Sequence, residues 1–172
     1  MNPPKQALDF FDRHGPQLFR LLYKLTLRHD AAEDLLQELM CVLLKNNSCW
    51  AADDPQAYAF RTAMNLAFRW RRLYVRALPS NSRPSPETVA SPLHSVLRQE
   101  EFDRAMEALS DLSELTRECL VLRYLQGESN ESIARHLGKT SSQVRAICSK
   151  GLSELRRRLD VDTPANVRIH NG

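Results

Sequence analysis

The chain has 172 residues, 42% hydrophobic and 26% charged, with a net charge of +3 at neutral pH. That balance is close to a globular average and excludes collagen-like, mucin-like and fully disordered chains. The longest apolar runs, such as Leu39-Met40-Cys41-Val42-Leu43-Leu44, fall far short of the ~20 residues a membrane helix needs. Met1–Phe11 lacks the basic-then-apolar order of a signal peptide, so the expected location is the cytoplasm.

Helical periodicity begins at once. Phe11, Leu18, Leu22 and Leu25 recur on one face of a first helix. Asp30, with Glu33 three residues on, predicts a capped start to a second. Its apolar stripe is Leu35, Leu36, Leu39, Met40, Leu43 and Leu44. Asn46–Pro55 interrupts the pattern with Asn, Ser, Asp and Pro. A third helix is predicted from about Pro55, a residue tolerated in a first turn, to Arg76. Tyr58, Ala59, Thr62, Ala63 and Leu66 form its inner face.

Composition changes over 77–97. Pro79, Pro84, Pro86 and Pro92 stand among five serines, which blocks helix continuation and supplies little apolar surface. This predicts a semi-extended linker, dividing the chain into 1–76 and 98–160, with 161–172 as a flexible tail. After the linker, Phe102, Met106 and Leu109 share a helical face. Ser110 or Ser113 caps a helix carrying Cys119, Leu120, Leu122 and Leu125, which Gly127 ends. Ser129 starts a short helix with Ile133, Ala134 and Leu137, stopped by Gly138. Thr140 or Ser141 caps a last helix with Val144, Ile147, Gly151, Leu152, Leu155 and Leu159 inward. No strand signal is present. The expected fold is all-α, two small helical domains joined by a Pro/Ser-rich linker.

Charge is unevenly spread. Arg61–Arg76 has five arginines and no acid, and Arg135–Arg158 has seven Lys/Arg against one acid. Arg98–Glu131, between them, holds nine acids against four arginines. Two basic blocks in a small chain favour a polyanionic partner. Cys41, Cys49, Cys119 and Cys148 lack metal-ligand or C-x-x-C spacing and read as free, mostly buried thiols. His14, His29, His94, His136 and His170 are scattered, and no nucleophile–base order or phosphate loop occurs. No metal, cofactor or enzymatic activity is called for.

Ser129–Arg145 carries a short helix, a glycine turn and a second capped helix, the pattern of a helix-turn-helix. Ala134 is small where two helices meet, and Gly138 admits the positive φ of the turn. Ser141, Ser142, Gln143, Arg145, Ser149 and Lys150 are left outward as donors and cations for base edges and phosphates.

In the first half, Ala32-Glu33-Asp34-Leu35-Leu36-Gln37-Glu38 resembles the region 2 signature of bacterial sigma-70-type sigma factors of the extracytoplasmic function (ECF) subfamily. Pro55–Arg72 is similar to the family's next helix, and Leu122-Arg123-Tyr124-Leu125-Gln126-Gly127 with the helix-turn-helix resembles region 4. The resemblance implies a subunit that binds core RNA polymerase and directs promoter recognition. Region 2 would dock through Glu33, Asp34, Gln37 and Glu38 and melt the −10 element. Asn65, Arg69, Arg71 and Arg72 suit the backbone of melted DNA. Phe68 and Trp70 suit base stacking, with a core position the equal alternative for Phe68. Trp50 lies in the loop where the family captures a flipped base. Region 4 would bind the −35 element through Ser141, Ser142, Gln143, Arg145, Ser149 and Lys150. An anti-sigma factor is the implied regulator.

The chain departs from the family at three places. It has Tyr58 for the usual Trp, Arg69 for the usual Asp, and Gln143–Gly151 for an arginine-rich stretch. Gly151 inside a helix carries a propensity cost of about 1 kcal/mol against Ala. Two other readings fit the residues alone. One is a stand-alone helix-turn-helix regulator that binds duplex DNA. The other is a sigma-like adaptor or decoy that starts no transcription.

Overall fold

The computed structural model describes residues 3–46, 54–77 and 92–161. All regular elements among these residues are helical. They fall into two compact units, the first comprising the first three helices together with Arg135–Gly138, the second built on the other described residues.

The first unit contains α1 (Pro3–Thr26), α2 (His29–Lys45) and α3 (Pro55–Ala77). Its core takes one stripe from each helix. Leu18, Leu21, Leu22 and Leu25 of α1 meet Ala32, Leu35, Leu39 and Leu43 of α2, all buried. From α3 come Ala59, Ala63, Met64, Leu66, Ala67 and Phe68. Alanines at 59, 63 and 67 fall at i, i+4 and i+8, so α3 can approach its neighbours closely. Each fully buried leucine contributes about 1.5–3 kcal/mol of transfer free energy.

The turn from α1 to α2 is tight. Leu27 takes φ +55°, a left-handed conformation unusual for a leucine. Its N–H donates to the Tyr23 carbonyl at 2.7 Å. The Thr26 hydroxyl donates to the Leu22 carbonyl at 2.9 Å and accepts the Arg28 N–H at 3.3 Å. Asp30 does not cap α2, contrary to expectation. The residue before the helix is Arg28, extended and without a side-chain cap bond. Asp30 sits in the first turn, where its charge favours the helix N-terminus. At the other end of the interrupted segment, Asp54 accepts the Ala57 N–H at 2.9 Å and caps α3, with Pro55 as first helical residue.

The second unit contains α4 (Pro92–Ser110), α5 (Glu114–Leu120), a π-helical turn (Val121–Leu125), α6 (Asn130–Leu137) and α7 (Ser141–Val161). Helix α4 begins inside the expected linker, with Pro92 at a first-turn position that needs no N–H donor. The rest of the expected linker from 78, and the tail from 162, lie outside the described residues. Met106, Ala108, Leu109, Leu112, Cys119, Leu120, Val121, Leu122, Ile133, Ala134, Val144 and Cys148 form the core.

Local chemistry sets the joints. Ser113 accepts the Thr116 N–H and caps α5. Gly127 takes φ +74° after the π-helical turn. Ser129 caps α6 through the Ser132 N–H at 3.1 Å. Helix α6 ends in a Schellman arrangement: Gly138 takes φ +61°, and the Lys139 N–H reaches the Ala134 carbonyl at 2.9 Å.

Candidate nucleic-acid interface

Helix α3 divides neighbouring residues between solvent and core. Asn65, Arg69 and Arg72 recur at helical spacing and are exposed. Phe68 and Arg71, interleaved with them in sequence, are 2% and 6% exposed. Both depart from the reading that gave them to DNA. Phe68 is part of the buried core of the first unit. Arg71 Nη1 donates to the Leu25 carbonyl at 3.1 Å. That carbonyl belongs to the last turn of α1, whose terminal acceptors lack intrahelical donors. A guanidinium there satisfies the acceptor and meets the negative end of the helix dipole.

Trp70 is half-buried and stacks on Tyr74, ring centres 4.5 Å apart and planes 14° from parallel. The Tyr74 hydroxyl receives a hydrogen bond from Arg28 Nη1. Arg28 in turn pairs with Asp30, whose carboxyl is held down to about 2, chiefly by that guanidinium and then by the Ala31 N–H. Thus a stacking residue named from sequence has two supports that the sequence reading missed. The Trp70/Tyr74 spacing of four was a visible signal. Arg28 gave none, because its approach to Tyr74 depends on the α1–α2 turn. Trp50 lies outside the described residues.

On α2, Glu33, Asp34 and Gln37 are exposed and Glu38 is half-exposed. Glu33 lies 3.5 Å from His29 Nδ1 one turn earlier. Glu38 is ion-paired with Arg69 of α3. Asn46, at the end of α2, donates through Nδ2 to the Tyr58 hydroxyl at 2.8 Å and ties that end to the start of α3.

In the second unit, Ser142, Gln143, Arg145, Ser149 and Lys150 of α7 are exposed and Ser141 is half-exposed. Ser142, Arg145 and Ser149 follow i, i+3, i+7 spacing, opposite the buried Val144, Cys148 and Gly151. The helix opens with a reciprocal cap. Thr140 Oγ1 accepts the Gln143 N–H at 3.2 Å, and Gln143 Oε1 accepts the Thr140 N–H at 2.9 Å. Gln143 therefore has a structural task beyond the base contact expected of it. The basic block after it is partly neutralised, since Arg157 and Arg158 pair with Glu154 at 2.7 and 2.9 Å. Cys119 and Cys148 are buried, and burial pushes the Cys119 thiol up to about 12. Cys41 is exposed, unlike the burial expected for most of the thiols.

Among the described residues, no helix is long and apolar enough to cross a membrane, and no His/Cys/Asp/Glu group is arranged to hold a metal.

The family described as Sigma-70 region 2 matches residues 10–76, and Sigma-70 region 4 matches residues 108–157. The chain is 26% identical over 157 residues to the ECF RNA polymerase sigma factor BldN of Streptomyces coelicolor. That match covers 88% of this chain and 60% of BldN, so the chain spans less than two thirds of its relative's length. Two solved structures are similar at 22% identity. The sigma factor RpoE, in complex with the anti-sigma factor NepR from Bartonella quintana, gives a TM-score of 0.47, with 90% of this chain and 99% of that chain covered. CnrH, in complex with the cytosolic domain of CnrY, gives 0.49, with 93% and 91% covered.

Proposed function

The chain belongs to the sigma-70 family, and from that premise we propose that it is an alternative sigma factor of the ECF type. It binds core RNA polymerase, selects promoters and takes part in opening them, with no catalysis of its own, in the cytoplasm where transcription occurs. The observation that carries this reading is the order of two matched regions, each with an exposed polar or cationic helix face. The first is the Asn65/Arg69/Arg72 face of α3, and the second the Ser142/Arg145/Ser149 face of α7.

The roles divide by chemistry. Exposed carboxylates and an amide on α2 suit a cationic helix of the polymerase. On α3, Arg69 and Arg72 suit phosphates of melted DNA, and the braced Trp70 suits an unstacked base. On α7, Ser142, Arg145 and Ser149 suit the major groove at the −35 element, with Lys150 on flanking phosphate. An anti-sigma protein would act by covering the α2 surface that the polymerase uses.

The test is transcription in vitro from a genomic fragment library, with purified chain and bacterial core polymerase, reading RNA 5′ ends. Discrete starts sharing two upstream motifs are expected. A stable core complex with no starts would instead support a decoy. Duplex binding without any core complex would return the chain to the stand-alone regulators.

A further inference from the structure

Glu38 and Arg69 were assigned from sequence to different partners, the polymerase and the melted DNA. In the folded unit they are partners of each other, Arg69 Nη2 against Glu38 Oε1. Their side chains remain 43% and 55% exposed, so water and salt reach the pair and it opens readily. The pairing depends on Arg69, which stands where the family usually has an acid; an acid there would repel Glu38.

We infer that Glu38 is the intramolecular counter-ion of Arg69 and so sets the charge that α3 offers to nucleic-acid phosphate. The inference rests on the DNA-facing role proposed above for α3. An arginine already paired with a carboxylate must exchange one anion for another when it meets a phosphate. Its net gain is therefore small. Without the Glu38 charge, Arg69 meets the phosphate as an uncompensated cation. Single-strand binding then releases one further counterion, steepening log K against log salt by about 0.7. An exposed pair of this kind accounts for at most about a fivefold effect. A cationic surface that draws Glu38 away has the same consequence, so docking on the α2 face releases Arg69 toward DNA. The two faces of the unit are coupled through this pair.

The experiment uses the full chain and a fluorescein-labelled, mixed-sequence single-stranded oligonucleotide, followed by anisotropy across a salt series. Glu38→Gln keeps the shape and removes the charge. It is expected to tighten binding by about two- to fivefold at low salt and to steepen the salt slope. Arg69→Gln is expected to weaken binding, and Glu38→Gln in that background to give a clearly smaller gain than in the unmodified chain. Unchanged binding by Glu38→Gln, or the same gain in the Arg69→Gln background, overturns the inference. Lost affinity of Glu38→Gln for core polymerase, with unchanged oligonucleotide binding, assigns Glu38 to the polymerase and leaves the proposed function standing. Absence of oligonucleotide binding by the unmodified chain overturns the DNA-facing role of α3 and this inference with it.

Discussion

Gly151 of α7 and Thr116 of α5 approach so closely that a Cβ on residue 151 would lie 2.5 Å from Thr116 Cγ2. It would also lie 3.2 Å from Leu120 Cδ1. The glycine that reads as a weak point of the last helix is thus the place where two helices of the second unit touch. Gly151→Ala gains about 1 kcal/mol of helix propensity but forces the helices apart. The expected net effect is a loss of up to about 2 kcal/mol, since overpacking costs typically about 1–3 kcal/mol. Thr116→Ser deletes the obstructing methyl group and keeps the hydroxyl that lies 2.8 Å from Ser113 Oγ. Adding it should recover part of the loss. Urea unfolding of the single and double variants checks this, and equal stability of Gly151→Ala and the unmodified chain would contradict it.

Arg71 and Arg72 are neighbours in sequence with opposite fates. Arg71→Gln leaves the Leu25 carbonyl without its donor and is expected to destabilise the first unit by about 1–3 kcal/mol. Arg72→Gln, on the exposed face, should change stability by less than about 0.5 kcal/mol. Oligonucleotide affinity should fall for Arg72→Gln. It should stay unchanged for Arg71→Gln once the folded fraction is matched. Thermal melts and anisotropy on the same samples separate the two.

Asp30 provides a pH signature. Its carboxyl lies at about 2 in the folded chain against 3.8 ordinarily, first through the Arg28 guanidinium. The folded pKa is lowered, so the associated stabilisation is complete above pH ~4 and is lost as the pH falls from there toward 2. The Asp30 side chain is largely exposed, so the effect on global stability is small. The site itself reports more clearly. An NMR titration of the Asp30 carboxyl should show a midpoint near the lowered value, moving up toward 3.8 in Arg28→Ala. A midpoint that ignores Arg28 would contradict the pairing.

The reciprocal cap at the start of α7 can be separated from DNA contact. Thr140→Ala removes the acceptor of the Gln143 N–H and is expected to cost about 0.5–2 kcal/mol. Gln143→Glu keeps a side-chain acceptor for the Thr140 N–H, so stability should hold. Its added negative charge should weaken binding to duplex promoter fragments. Urea unfolding and a mobility-shift titration of the two variants measure the two effects independently.

Much of the fold was legible because its signals are local. The glycine stops at 127 and 138, the Ser113, Ser129 and Thr140 caps and the leucine stripes each act within one or two helical turns. The exposed face of α7 followed from the same periodicity. The α2 cap was misread at Asp30 because a good capping residue within the first turn of a helix looks the same in sequence as one at its boundary. Pro92 was read as linker for a similar reason, since a proline marks both a break and a first turn.

The sequence by itself determined the all-helical class, the two-part organisation and the families that the two parts match, because helix periodicity, capping and turn chemistry are short-range. Tertiary structure decided how α3 divides its residues. Four consecutive residues there, Phe68 to Arg71, hold a core ring, an ion pair to α2, a stacked indole and a buried guanidinium bound to α1. Those fates depend on contacts with Leu25, Arg28 and Glu38, at least 31 residues away in the cases of Arg69 and Arg71. Charge and periodicity along one helix carry no record of which groups a distant helix brings to it, so only the packed unit could separate the structural arginine from the exposed ones.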